Sequence, residues 1–140
     1  MLLVVDSSVF VAAFRPQETR HDEARSLLIS LRSGENAADC PLTVLLEVGA
    51  AIRRRTGSLE VATRAVNLLR SVDHLRFSPF DGPSGASALN VAMATALRGM
   101  DAIVVARALD LRAPLASFDV EMLQRAQTLV PLFPFSGRPA

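Results

Sequence analysis

Four acidic residues in this chain of 140 stand where chemistry can be done: Asp6, Glu47, Asp101 and Asp119. Asp6 directly follows the aliphatic run Leu2-Leu3-Val4-Val5. Ligands of open α/β sheets bind at the carboxyl edge of the strands, so an acid there is well placed, although it can equally cap the next helix. Glu47 lies within Thr43-Val44-Leu45-Leu46-Glu47-Val48-Gly49-Ala50-Ala51-Ile52, where almost every neighbour is apolar. A buried carboxylate without a partner is costly, so Glu47 must be protonated, bound to a cation, or salt-bridged to an arginine such as Arg53 or Arg107. Asp101 follows Arg98-Gly99-Met100 and precedes Ala102-Ile103-Val104-Val105-Ala106, while Asp119 follows Ser117-Phe118. Each alone fits a helix N-cap. Three acids at strand–helix or loop–helix junctions, with a fourth inside an apolar helix, make the pattern of a shared site for a hard divalent cation.

Other chemistries are poorly supplied. All fifteen basic residues are arginine, so a Walker-type phosphate loop and Schiff-base catalysis, which need lysine, are excluded. Cys40 is the only cysteine, which rules out an internal disulfide and a cysteine-rich zinc site. His21 and His74 lack partners at ligand spacing and read as surface residues. Asp22, Glu23 and Glu60 belong on solvated helix faces, Asp73 and Asp81 near turns, Asp110 near a helix end, and Glu121 at a helix start. The net charge of +1 provides no global attraction to nucleic acid. No apolar run approaches the roughly 18 residues that span a bilayer, and the N-terminus lacks the basic segment of a signal peptide. A cytoplasmic location is expected.

The elements that must position these acids alternate along the chain. Leu2–Val5 reads as a strand buried on both faces. Ser7 or Ser8 is placed to cap a short helix over 9–14, and helical spacing recurs over 18–33, ended by Gly34. A strand is expected at 37–40, a helix at 43–55 ending before Gly57, and a helix to Val72 capped by Ser58. A third strand is expected at 75–80, a helix from Ser84 or Ser87 to Leu97, and a helix opened by Asp101 running to Leu111. A fourth strand at 114–118, a helix from Asp119 to about Leu129 and an edge strand at 130–135 complete the pattern. This alternation predicts an α/β fold with a mostly parallel central sheet, in one domain spanning 1–136 with a loose tail at 137–140.

The segments Val4-Val5-Asp6-Ser7-Ser8-Val9, Leu46-Glu47-Val48, Gly99 to Ala106 and Leu115-Ala116-Ser117-Phe118-Asp119 together resemble the PIN-domain family, specifically its VapC-type toxin ribonucleases. The resemblance covers essentially the whole chain. It implies a three-layer α/β/α sandwich with the acids at the carboxyl edge of a parallel sheet. It also implies an endoribonuclease using one or two Mg²⁺ or Mn²⁺ ions, usually a homodimer, neutralised by a cognate antitoxin. By family position Asp6, Glu47 and Asp101 are core metal ligands and Asp119 is the more variable fourth acid. Ser8 and Ser117 match hydroxyl positions that support the carboxylates, with serine replacing the commoner threonine at 117.

Arg53, Arg54 and Arg55, with Arg15 and Arg98, are candidates for phosphate contact, although a triple arginine at a helix end also suits the helix dipole. The only aromatics are seven phenylalanines, and no stacking platform for bases is evident. RNA as substrate therefore rests on the resemblance. The apolar helices at 58–72 and 84–97 suit a dimer, an antitoxin groove or an ordinary core. Phosphoaspartyl enzymes also place an aspartate after a first strand, but they need an assisting lysine, and dehalogenase-like phosphatases want an aspartate where Ser8 stands. A non-catalytic α/β binding module, its acids serving as caps and salt-bridge partners, is the alternative reading.

Overall fold

The computed structural model describes residues 1–135. The expected boundary at 136 and tail at 137–140 lie outside the described residues. The first strand, β1 (Leu2–Val5), is followed by α1 (Ser7–Phe14), α2 (His21–Ser33), β2 (Ala37–Pro41) and α3 (Leu42–Thr56). After α4 (Leu59–Ser71) come β3 (Leu75–Ser78), α5 (Gly82–Thr95), α6 (Gly99–Leu111), β4 (Leu115–Ala116) and α7 (Val120–Ala126). The four strands form one sheet in the order β3-β2-β1-β4, and every pairing is parallel. Helices cover the sheet on both sides in the expected α/β/α arrangement, because its central strand is apolar throughout: Leu3, Val4 and Val5 are fully buried. α6 packs on β1 and β2, and α3 on β2 and β3, so the helices bearing Asp101 and Glu47 rest on the strands beside Asp6. No single helix among the described residues is long and apolar enough to cross a membrane.

Several element ends differ from expectation, and local chemistry explains most of them. The second helix starts at His21 and not at residue 18, because Glu18 and His21 first close turns onto Arg15 and Glu18. Its C-cap, Gly34, has φ 82°, and a Cβ there would meet His74 Nε2 at 2.7 Å, so glycine is favoured by both backbone and space. Neither Ser84 nor Ser87 caps α5. Asp81 does, accepting from the Ser84 amide at 2.9 Å while Ser84 Oγ accepts from the Asp81 amide at 2.8 Å. Pro79 and Phe80 fall outside β3, which ends at Ser78. The expected edge strand at 130–135 reduces to one bridge between Leu115 and Leu132, as its two prolines withhold ladder donors. The last helix stops at Ala126, three residues early.

Candidate active site

Asp6 leaves the carboxyl end of β1 and is 4% exposed. It occupies the N-cap position of α1, yet its side chain closes no capping hydrogen bond. Its Oδ2 accepts instead from Ser8 Oγ at 2.8 Å and from Ser117 Oγ at 3.0 Å. Both hydroxyls are aimed by backbone donors, since Ser8 Oγ accepts from the Phe118 amide and Ser117 Oγ from the Asp119 amide, each at 3.0 Å. The strand expected at 114–118 shortens to Leu115–Ala116, and Ser117 turns out of it toward Asp6. Burial pushes the Asp6 pKa up, and the two serine hydroxyls pull against that rise.

Glu47 projects from α3, half-buried, and its Oε1 is buried with no hydrogen-bond partner. The salt bridge considered from the sequence does not form. Arg107 pairs with Asp39 at 2.8 Å and donates to Ser78 at 3.2 Å, while Arg53 is exposed. Burial, followed by the charges of Asp6 and Asp101, pushes Glu47 up to about 7. Asp101 does not open its helix: Arg98 holds the N-cap position, which places Asp101 in the first turn. Its pKa is raised by burial and by Asp6 and Asp119, with Arg98 opposing. Asp119 does act as a cap, its Oδ1 accepting from the Met122 amide at 3.1 Å. That role engages its Oδ1 in holding the helix start.

Electrostatics thus couple the four acids: Glu47 feels Asp6 and Asp101, and Asp101 feels Asp6 and Asp119. Among the described residues, no three acidic, histidine or cysteine side chains close around a single point as they stand. Like charges favour that separation. The donors fit a hard divalent cation in two respects: they are all oxygens, and the orphaned Glu47 Oε1 lacks a proton donor or cation.

Two clefts meet at Glu47. One, of about 570 Å³, is lined by Ser7, Ser8, Arg20, Arg54, Arg55 and Phe118 among others. The other, of about 770 Å³, includes Arg98, Asp101 and Asp119. The structure therefore sorts the candidate arginines. Arg54 lines the first cleft without a partner among the described residues, Arg55 lines it but is tied to Glu18 at 2.8 Å, and Arg53 lines neither cleft. Arg98 lines the second, whereas Arg15 stands 3.8 Å from Glu18. Arg20 was not foreseen: its guanidinium lies 4.0 Å over the Phe118 ring and is gripped by Glu23 at 2.9 Å and 3.0 Å. The one signal for it was the phenylalanine beside Asp119; the arginine itself is distant in sequence. His21 is half-buried, not a free surface residue, with Nδ1 donating to the Ala12 carbonyl at 2.7 Å.

The same architecture occurs in solved structures. VapC20 from Mycobacterium tuberculosis, a sarcin-ricin-loop-cleaving toxin, is similar with a TM-score of 0.76 and 20% identity, covering 96% of this chain and 100% of that one. VapBC2 from Rickettsia felis, bound to a DNA fragment from its promoter, is similar with a TM-score of 0.71 and 15% identity, covering 94% and 97%. FitAcB from Neisseria gonorrhoeae gives 0.68 and 18%, covering 96% and 97%. No curated protein matches by sequence. Residues 3–127 match the profile of the PIN domain, so the resemblance seen in the ordered acids holds for nearly the whole chain, and the chain belongs to the PIN-domain family.

Proposed function

We propose that this chain is a VapC-type toxin, a Mg²⁺- or Mn²⁺-dependent endoribonuclease that hydrolyses RNA phosphodiester bonds. The observation that carries the reading is the coupled set of carboxylates around Asp6, with Glu47 Oε1 buried and unpartnered. In it Asp6, Glu47 and Asp101 are the catalytic metal ligands, and Asp119 assists from its cap position. One or two divalent ions bound there would acidify water and neutralise charge on the phosphate.

The chain's own residues divide the remaining work. Ser8 and Ser117 hold Asp6 Oδ2 in place and favour its ionised form. Glu47 brings a buried, unpartnered Oε1 to the site; burial and the charges of Asp6 and Asp101 push its carboxyl up to about 7 without metal, and a divalent cation would favour its ionised form. Arg54 offers an unpaired guanidinium to a phosphate in the neighbouring cleft. Arg98 offers a second at the rim of the other.

The similarity to structures described as VapBC2 bound to a DNA fragment from its promoter and as FitAB bound to a DNA fragment supports a cognate antitoxin as partner. Exposed apolar side chains on α4 and α5, including Leu59, Val61 and Met93, support a homodimer or antitoxin contact. The setting of such a pair is the cytoplasm. The test is cleavage of RNA by the isolated chain with Mg²⁺ or Mn²⁺, with Asp6→Asn and Asp101→Asn alongside. Metal-dependent cleavage lost in both variants supports the reading; wild-type protein that cuts no RNA with metal returns the chain to a non-catalytic binding module.

A further inference from the structure

The two clefts that meet at Glu47 differ in kind. The first carries Arg20, Arg54 and Arg55 with the hydroxyls of Ser7, Ser8 and Thr19. The second sets Phe80, Leu89, Ala92, Met100 and Ile103 beside Asp101 and Asp119. Phe80 is 50% exposed, Leu89 59% and Met100 40%, so a substantial apolar surface opens directly onto the acids. The Phe80 ring rests against α5 at Gly85, where a Cβ would sit 3.6 Å from its Cζ. Apolar lining with a few convergent polar groups is the usual make-up of a pocket for a small planar ligand.

An RNA strand alternates phosphates with flat bases. A phosphate held at the acids therefore brings an adjoining base within reach of the apolar cleft and the next phosphates within reach of the arginines. A base inside a duplex is stacked and paired and cannot turn into such a cleft, whereas an unpaired base can be splayed out and stacked on a side-chain ring. We propose that the cleft between α5 and the start of α6 receives the nucleobase next to the scissile phosphate and selects that base by ring size and stacking. This assignment rests on the ribonuclease reading. It makes Phe80 and Met100 specificity-determining residues, and it gives the arginine-lined cleft the continuing backbone.

The experiment uses a labelled, unstructured oligoribonucleotide of about 20 nucleotides, whose cut site is first mapped with wild-type protein and Mn²⁺. Abasic nucleotides are then placed on either side of the cut. One of the two should slow wild-type cleavage about tenfold, a typical worth of one base–aromatic stack. Phe80→Ala should slow the intact RNA by a similar factor and cut intact and abasic RNA equally, the non-additivity of a shared contact. Met100→Ala, on another wall of the cleft, should also narrow the difference between intact and abasic RNA. An annealed complementary strand should suppress cleavage. Equal wild-type rates on intact and both abasic RNAs, or undiminished cutting of the duplex, overturn the proposal. So does a Phe80→Ala protein that keeps its base discrimination while its mass in solution changes, which assigns the cleft to a protein partner. Wild-type protein that cuts no RNA with metal overturns the ribonuclease reading itself, a separate result.

Discussion

Ser117 donates its hydroxyl to Asp6 Oδ2 at 3.0 Å, joining the carboxyl ends of β4 and β1 across 111 residues of sequence. Ser117 Oγ also accepts from the Asp119 amide, so one small side chain orients two of the four acids' neighbourhoods. Ser8 does the corresponding work from α1, binding Asp6 and the Phe118 amide.

Removing that relay should be felt first in metal binding. Ser117→Ala deletes a buried donor to Asp6 and leaves the Asp119 amide without its acceptor. Mn²⁺ affinity should fall roughly tenfold or more, as supporting hydrogen bonds around a metal site usually command. Stability should drop by about 1–2 kcal/mol. Ser117→Thr keeps the hydroxyl and should restore most of both. Calorimetric Mn²⁺ titration with thermal melts of the three proteins checks it.

Glu47 should give the metal-free protein an inverted pH dependence. Its pKa rises from 4.5 to about 7 on folding, so between those values the folded chain binds more protons than the unfolded one. Stability therefore falls as pH rises through that window, and Asp6 and Asp101, raised in the same direction, reinforce the trend. Melting without metal should occur about 3–5 °C higher near pH 5.5 than near pH 8. Saturating Mg²⁺ should narrow the gap by stabilising the ionised acids. Scanning calorimetry at both pH values, with and without Mg²⁺, decides it.

Neutralising Glu47 should separate stability from activity. Glu47→Gln removes repulsion with Asp6 and Asp101, and metal-free protein at pH 8 should gain about 1 kcal/mol, a figure already reduced for solvent screening of this half-buried group. RNA cleavage should fall at least a hundredfold. A denaturant melt beside a cleavage assay tests the pair of outcomes; a variant both less stable and fully active contradicts it.

The acids should also rank. Asp6→Asn and Asp101→Asn should each abolish measurable RNA cleavage, whereas Asp119→Asn, which keeps an oxygen able to cap α7, should retain at least a tenth of it. Single-turnover rates of the three variants at saturating Mn²⁺ give the order.

Away from the cluster, Asp39→Ala should destabilise the fold by about 2 kcal/mol. Asp39 pairs with Arg107 at 2.8 Å and accepts from Ser78 at 2.6 Å, tying α6 to β2 and β3, and its loss leaves a partly buried guanidinium without its carboxylate. Asp110→Ala, on an exposed stretch of the same helix, should change stability by less than about 0.5 kcal/mol. Urea denaturation of both variants provides the comparison.

Much of this molecule was legible in its sequence because the determining signals are local. The aliphatic run before Asp6 reads as a buried strand, alternation with amphipathic segments points to a parallel sheet, and a carboxylate among Val44, Leu45 and Val48 has few inexpensive fates. The places of Asp6 after its strand, Glu47 inside its helix and Asp119 at a cap follow from those patterns, whereas Asp101, expected to open its helix, sits in the first turn behind Arg98. Element ends were less legible where capping was reciprocal, as at Asp81 and Ser84, or where strand pairing gave way, as at 130–135.

What only the tertiary structure decided is which groups meet. Whether Asp6 caps a helix or takes hydroxyls from Ser8 and Ser117 depends on a residue 111 positions away, and no local pattern encodes that. Arg107 was as good a partner for Glu47 as for Asp39 until packing of α6 against the sheet gave it to Asp39, leaving Glu47 Oε1 unpartnered. The sorting of Arg54 from Arg53, the placing of Arg20 over Phe118 and the meeting of a basic cleft with an apolar one are likewise long-range outcomes. Sequence determined the chemistry available to the four carboxylates. Folding determined their burial, which raises the pKa values of Asp6, Glu47 and Asp101, and the repulsion that adds to it at Glu47 and Asp101.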